Sequence, residues 1–267
     1  MSIAFVGGGN MASAIIGGLL KSGRPPADIL VLEPNANQRS LLQRDLGVIT
    51  LEAPGSVLER ADVVVWAVKP QAFKEAAAAS GPHIGKALQI SLMAGIRSDA
   101  IAAALGTERV VRSMPNTPAL IGQGIAGLYA RPAVTPTERC NAEQLLATTG
   151  RTLWVEREED LDAVTALSGS GPAYVFYFVE AMVQAAEDMG LSAEQGKQLA
   201  LATFSGASAL AQASNEAPSV LRERVTSKGG TTYAALTSLE SSQVKQAFVK
   251  AIKAAQRRAT ELGNEFG

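Results

Sequence analysis

Ile3-Ala4-Phe5-Val6-Gly7-Gly8-Gly9-Asn10-Met11-Ala12 decides the fold class of this chain. Four apolar residues run into three glycines, and an apolar stretch at 15–20 follows. That order predicts a short buried strand, a tight turn and a helix start. The turn reads G-x-G-x-x-A, with Gly7, Gly9 and Ala12 in the three small positions. Gly7 permits the sharp exit from the strand. Gly9, lacking Cβ, lets a pyrophosphate approach the backbone, and Ala12 lets the helix lie close to the sheet. The free N–H groups of the helix start, at Asn10 and Met11, then face the phosphates. The stretch is read as a dinucleotide-binding turn. A plain strand-to-helix turn, or the similar glycine turn of a Rossmann-like methyltransferase, is the alternative.

The same grammar continues to about residue 160. Runs at 29–33, 61–68, 88–93, 109–114 and 124–128 read as further strands, with another at 152–155. Helical patterns at 11–22, 37–44, 71–79, 98–105 and 136–148 fall between most of them. Strands alternating with helices imply an α/β fold with a parallel, doubly wound sheet. Ligands of such sheets lie beyond the carboxyl ends of the strands. That rule selects Glu33 and Asn35 after the second strand, Ala67-Val68-Lys69-Pro70 after the third and Ala94-Gly95 after the fourth. It also selects Asn116, in the stiff loop Ser113-Met114-Pro115-Asn116-Thr117-Pro118. Asn116 offers a donor and an acceptor that suit a carboxamide or a ribose hydroxyl, or it simply forms the turn. Lys69 is a cofactor or substrate contact, or a solvated charge.

Beyond residue 161 the strands stop. Helices are expected at 172–189, 193–214, 219–226 and 241–262, with Pro172 suiting a first turn and Gly190 a stop. The expected division is a dinucleotide-binding Rossmann-type domain at 1–160 and an all-helical dimerisation and substrate-binding domain at 161–267. Tyr174, Phe176, Tyr177, Phe178, Met182 and Val183 cover more than one helix face. A domain of about 100 residues cannot easily bury a helix that is apolar nearly all round. A homodimer formed through these helices is therefore expected, with a compact monomer as the alternative. Two loops in this half stand out. Ser168-Gly169-Ser170-Gly171 opens the first long helix, as a hinge or as a close backbone approach to the active site. Ser227-Lys228-Gly229-Gly230-Thr231-Thr232 lies between two helices; if Thr231 starts a helix, its free N–H groups form an anion site that fits a carboxylate.

Bulk properties exclude other classes. The chain has 267 residues, 47% of them apolar, and a net charge of −1 without blocks of one sign, so neither a nucleic-acid stripe nor a basic membrane face is expected. No apolar run reaches the roughly 18–20 residues of a membrane span. The N-terminus enters a strand directly, so no signal peptide is visible and a cytoplasmic location is expected. The single cysteine, Cys140, forms no intrachain disulfide and is read as a helix-packing residue. The single histidine, His83, lies in a surface turn. With one of each, histidine-dependent triads and common metal sites are poor candidates, and no metal is expected.

Taken together the motifs resemble pyrroline-5-carboxylate reductases end to end. The resemblance rests on Gly7-Gly8-Gly9-Asn10-Met11, Ala67-Val68-Lys69-Pro70-Gln71, Met114-Pro115-Asn116-Thr117-Pro118, Ser168-Gly169-Ser170-Gly171-Pro172-Ala173-Tyr174 and Thr226-Ser227-Lys228-Gly229-Gly230-Thr231-Thr232. It implies NADPH- or NADH-dependent reduction of Δ1-pyrroline-5-carboxylate to L-proline. It also implies a dimer with intertwined helical domains, commonly assembled into a decamer. By resemblance, the loop from Ser227 to Thr232 binds the substrate, the backbone amides of Gly229, Gly230 and Thr231 take its carboxylate, and Thr232 Oγ holds the ring nitrogen. An imine can accept its proton before hydride arrives, so a dedicated acid matters less than in ketone reduction.

Two positions depart from the family's usual pattern. Lys228 stands where many members have proline. Glu33 ends the second strand, where a carboxylate accepts from ribose hydroxyls and repels a 2′-phosphate, which favours NADH. Asn35, Asn37 and Arg39 could still cradle a phosphate if Glu33 turns away, and the family tends towards NADPH, so the preference stays open. Competing readings are another cyclic-imine reductase, for instance one acting on piperidine-2-carboxylate, and a non-catalytic NAD(P)-sensing protein.

Overall fold

A computed structural model describes residues 1–266, which divide into two compact units. One runs from Met1 to Ser170 and takes in the chain again from Ala255; the other is Gly171–Ala254.

The first unit is built on one eight-stranded sheet: β1 (Ile3–Val6), β2 (Ile29–Leu32), β3 (Ile49–Leu51), β4 (Val63–Trp66), β5 (Leu88–Ser91), β6 (Val110–Met114), β7 (Gly124–Ala130) and β8 (Gly150–Trp154). Their spatial order is β3-β2-β1-β4-β5-β6-β7-β8. Chain order reverses at β1, the topological switch point of a doubly wound sheet. Every residue of β1 and β4 is buried. Side chains alternate across the sheet: Ile3, Phe5, Val63 and Val65 enter one core, while Ala4, Val6, Val64 and Trp66 enter the other. Helix α1 (Asn10–Lys21) fills the first core with Ile15, Ile16 and Leu19, and α2 (Ala36–Leu46) adds Leu42. On the opposite face α3 (Phe73–Ser80) and α4 (Ser98–Leu105) supply Phe73, Ala77, Ile101 and Ala102. Helix α5 (Pro136–Ala147) starts with a capping box between Thr135 and Glu138.

Three expectations need correction here. First, β3 was not expected; with three residues it gives no usable periodicity, although Gly47 at φ +67° marks the turn into it. Second, the sheet is not wholly parallel, because β7 runs antiparallel to β6. Only residues 115–123 join them, which is short of the dozen or more a parallel crossover needs. Third, Cys140 is exposed rather than packed. Glu138, Ala142, Leu145 and Leu146 form the buried face of α5, and residue 140 lies about 200° around the helix from 138. His83 does lie in a short 3-10 turn, at Gly81–His83.

After β8 come α6 (Asp160–Val164) and a single π-helical turn, Thr165–Gly169. The second unit then contains α7 (Gly171–Asp188), α8 (Ala193–Ala213), α9 (Pro218–Arg224), α10 (Thr231–Ser241) and the beginning of α11 (Val244–Phe266). Helix α10 starts at Thr231, the condition set for an anion site, although its span to Ser241 was not among the expected helices because its polar Thr and Ser positions obscure the period. Gly196 lets α8 approach α7, since a Cβ there would stand 2.7 Å from Ala186 Cβ. Phe248 stacks edge-on against Tyr174 and Phe178. Phe176 and Tyr177, by contrast, are 59% and 68% exposed.

Candidate functional site

The glycine turn follows directly from β1. Gly7 adopts φ +97°, and a Cβ on it would lie 2.8 Å from the Ala67 carbonyl oxygen. No L side chain is tolerated there on either count. Gly9 is different: its φ is ordinary, and a Cβ would meet nothing within 4 Å. It caps α1 without any side-chain hydrogen bond, and the helix donors beginning at exposed Asn10 have no intrahelical acceptor. The turn is therefore an open cradle bordered by bare backbone, which fits the pyrophosphate of a dinucleotide. Asn10 and the half-buried Met11 stand in the first turn of that helix.

The end of β2 is tied to this turn. Glu33 Oε2 accepts from Gly8 N–H at 2.9 Å, and its Oε1 accepts from Asn35 N–H at 2.9 Å. Asn35 caps α2, its Oδ1 accepting from Gln38 N–H at 3.1 Å. Gln38 Nε2 reaches back to the Gly8 carbonyl at 2.6 Å. Arg39 donates to the Glu33 and Pro34 carbonyls at 2.9 and 2.8 Å and pairs with Glu52 at 3.1 Å. Gly8 itself is packed so tightly that a Cβ would lie 2.6 Å from Leu42 Cδ1. Sequence reasoning missed the roles of Gly8 and Gln38. The only available signal was the position of Gln38, three residues after a capping Asn.

Other candidates lie after the carboxyl ends of β4 and β5. Ala67 N–H donates to the Val6 carbonyl at 2.8 Å, which joins the β4 exit to the β1 exit. Val68 lies against Gly7, and Lys69 is exposed ahead of the 3-10 turn at Pro70–Ala72. Ala94 and Gly95 are half-buried, and Gly95, at φ +75°, lies under Leu262 of α11, 3.1 Å from the position of a Cβ. Asn116 is already engaged at both ends of its amide: Oδ1 accepts from Ile125 N–H at 3.0 Å and Nδ2 donates to Ser168 Oγ at 3.2 Å. It thus fastens the β6–β7 loop to the π-helical turn. Gly169 in that turn packs against the Met114 side chain, whose Cε lies 2.6 Å from the position of a Cβ.

An ionic network braces these loops. Arg112 on β6, 5% exposed, donates to Glu158 at 2.7 Å. The Glu158 carboxylate also takes Ser98 N–H at 2.6 Å and Ser98 Oγ at 2.5 Å, which caps α4. Burial works against the Arg112 charge and lowers its pKa, an effect that Glu158 only partly offsets. Nearby, Asp162 accepts from Arg97 at 2.7 Å and from Thr260 of α11 at 2.9 Å. The hydrogen bond to Asp162 raises the Arg97 pKa above its ordinary value.

In the second unit, Gly229 at φ +74° and Gly230 turn the chain into α10. Gly230 caps that helix with no side-chain hydrogen bond, leaving the first-turn donors of Thr231 and Thr232 without intrahelical acceptors. Gly230 N–H itself closes onto the Ser227 carbonyl at 3.0 Å. Ser227, Lys228 and Gly229 are exposed, and Thr232 is half-buried.

A doubly wound sheet with an open glycine cradle at its switch point defines a Rossmann-type nucleotide-binding protein. Comparison with known proteins identifies the family. The profile described as pyrroline-5-carboxylate reductase dimerisation matches residues 158–262, and that described as NADP oxidoreductase, coenzyme F420-dependent, matches residues 2–95. The pyrroline-5-carboxylate reductase of Pseudomonas aeruginosa is 43% identical over 267 residues, covering 99% of this chain and 98% of that protein. A solved pyrroline-5-carboxylate reductase from Coxiella burnetii superposes with a TM-score of 0.92 at 38% identity, covering 98% of both chains. The Plasmodium falciparum pyrroline carboxylate reductase, solved with NADP bound, gives 0.87 at 27% identity, again covering 98% of both. The chain belongs to the pyrroline-5-carboxylate reductase family.

Proposed function

We propose that this chain reduces L-Δ1-pyrroline-5-carboxylate to L-proline with NADPH or NADH, the last step of proline biosynthesis. The observation that carries the reading is the Gly-Gly-Thr-Thr entry into α10, in a chain that belongs to this family and whose other unit holds a dinucleotide cradle. Bound NAD(P)H supplies the hydride. Gly7, Gly9, Asn10 and Met11 hold the pyrophosphate, and Glu33 and Asn35 lie towards the ribose end. Ala67 to Pro70, Ala94, Gly95 and Asn116 line the remainder of the cofactor path. In the substrate loop, Ser227 and the N–H groups of Gly229, Gly230 and Thr231 take the carboxylate, although Gly230 N–H divides its bond with the Ser227 carbonyl. Thr232 Oγ steadies the ring nitrogen. Because a protonated imine is already electrophilic, positioning supplies most of the rate.

The helical unit serves dimerisation, supported by its exposed apolar side chains and by the match at 158–262. The working form is read as a homodimer that assembles further, as into a decamer, in the cytoplasm. Among the described residues no helix is long and apolar enough to cross a membrane. The direct test is steady-state oxidation of NADPH and of NADH with Δ1-pyrroline-5-carboxylate, with L-proline identified as product. Demonstrated cofactor binding without turnover would reject the reading.

A further inference from the structure

We infer that this chain discriminates in favour of NADH over NADPH, with Glu33 as the residue that decides it. The inference rests on the cofactor part of the reading above and adds a selectivity which that reading leaves open. Two arrangements were conceivable at the β2 exit. In one, Glu33 turns away and Asn35, Asn37 and Arg39 receive a 2′-phosphate; in the other, the carboxylate stays and receives ribose hydroxyls.

The hydrogen bonds select the second. Glu33 cannot swing out without giving up both of its backbone donors, Gly8 N–H and Asn35 N–H, each at 2.9 Å. The first of these belongs to the glycine turn, so the carboxylate is fixed beside the cofactor cradle. Each of its oxygens retains a lone pair for a hydroxyl. The Arg39 guanidinium is committed elsewhere. Arg39 is bonded to two backbone carbonyls and to Glu52, and its side chain is 18% exposed. The Asn35 side-chain oxygen is occupied in capping α2. Among the described residues no ion pair engages the Glu33 carboxylate, and the Arg39 guanidinium is spent on Glu52 and two carbonyls. A ribose diol can donate to such a carboxylate, whereas a 2′-phosphate brings about two further negative charges and no donor.

The test is equilibrium binding by cofactor fluorescence, with NADH and NADPH titrated separately into the intact protein in the absence of any imine. Wild type is expected to bind NADH at least about 10-fold more tightly than NADPH. Glu33→Gln keeps one acceptor oxygen for the backbone and removes the charge; it should bring the NADPH/NADH ratio of dissociation constants to within about threefold of unity. Should Glu33→Gln loosen the turn and weaken both cofactors, Asn37→Arg provides an independent arm. It places a cation on the exposed first turn of α2, leaves the Glu33 bonds intact and should improve NADPH alone. Wild-type affinity for NADPH equal to or better than for NADH would overturn the inference, as would a ratio unmoved by both substitutions. Failure of imine reduction with either cofactor would instead remove the proposed reaction and leave the binding ratio standing.

Discussion

The sheet unit and the helical unit are both rich in apolar residues, but they spend them differently. In the sheet unit β1 and β4 are buried throughout, and each face of the sheet closes over its own core. Between residues 171 and 254 only Val179, Ala186 and Ala200 are buried among the apolar side chains, while Phe176, Tyr177, Leu199 and Leu210 are more than half exposed. An aromatic side chain buries about 150–250 Å² when covered, worth several kcal/mol at about 25 cal/mol per Å². The sheet unit is thus stabilised by its own packing, whereas the helical unit leaves these side chains open to the association proposed above. Stability that depends on a partner depends on concentration; stability from an internal core does not.

The comparison can be broken most forcefully within the glycine turn. Gly7→Val meets both a forbidden φ and the Ala67 carbonyl, and should destabilise the sheet unit by about 4 kcal/mol or more. Gly9→Ala meets nothing, so its melting temperature should stay within about 2 °C of wild type while cofactor affinity falls about 10-fold. Equal losses of stability for the two would show that the turn is not divided into a structural and a binding glycine. In the helical unit, Phe176→Glu is expected to lower the mass measured by light scattering towards that of one chain; an unchanged assembly would mean that this face is not the contact.

A smaller effect separates chemistry from binding. Thr232→Ala should reduce kcat about 100-fold, some 2.7 kcal/mol in the barrier, and leave the cofactor dissociation constant within about twofold. Unchanged turnover would take Thr232 out of the mechanism. The smallest expected effect lies on α5. Burial would raise the pKa of Glu138, but hydrogen bonds from Thr135 and Arg109 outweigh it and hold the carboxyl below its ordinary value. A carboxyl depressed in the folded state contributes stability above its unfolded pKa and loses it as pH falls through the folded one. Glu138→Gln should therefore cost about 1 kcal/mol at pH 7, with the difference from wild type shrinking below about pH 4. A difference that is constant with pH would assign the effect to packing.

Much of the fold was legible because its signals are local. The strand at Ile3–Val6 and the helix at Ser98–Leu105 occupy the residues their patterns predicted, since burial on both faces and a 3.6-residue period are written into adjacent positions. The direction of β7 was not legible from its own residues; it follows from a connection too short for a crossover. Cys140 was misjudged because an exposed helix position and a packed one differ only in angle. At the candidate site, the glycine cradle was readable and the commitments of polar groups were not. Nothing around Asn116 announces that Ile125 N–H and Ser168 Oγ take both ends of its amide.

By itself the sequence determined the sheet class, the glycine cradle, the helical second half and the family, because a missing Cβ, a repeating apolar period and a motif order are properties of neighbouring residues. Tertiary structure alone decided that Glu33 is held by the glycine turn, that Arg39 is spent on backbone carbonyls and Glu52, and that Glu158 joins Arg112 to the start of α4. A carboxylate or a guanidinium has several possible partners within reach of its side chain. Which one it meets is fixed only when the register of distant strands and the ends of distant helices bring particular donors and acceptors to within 3 Å.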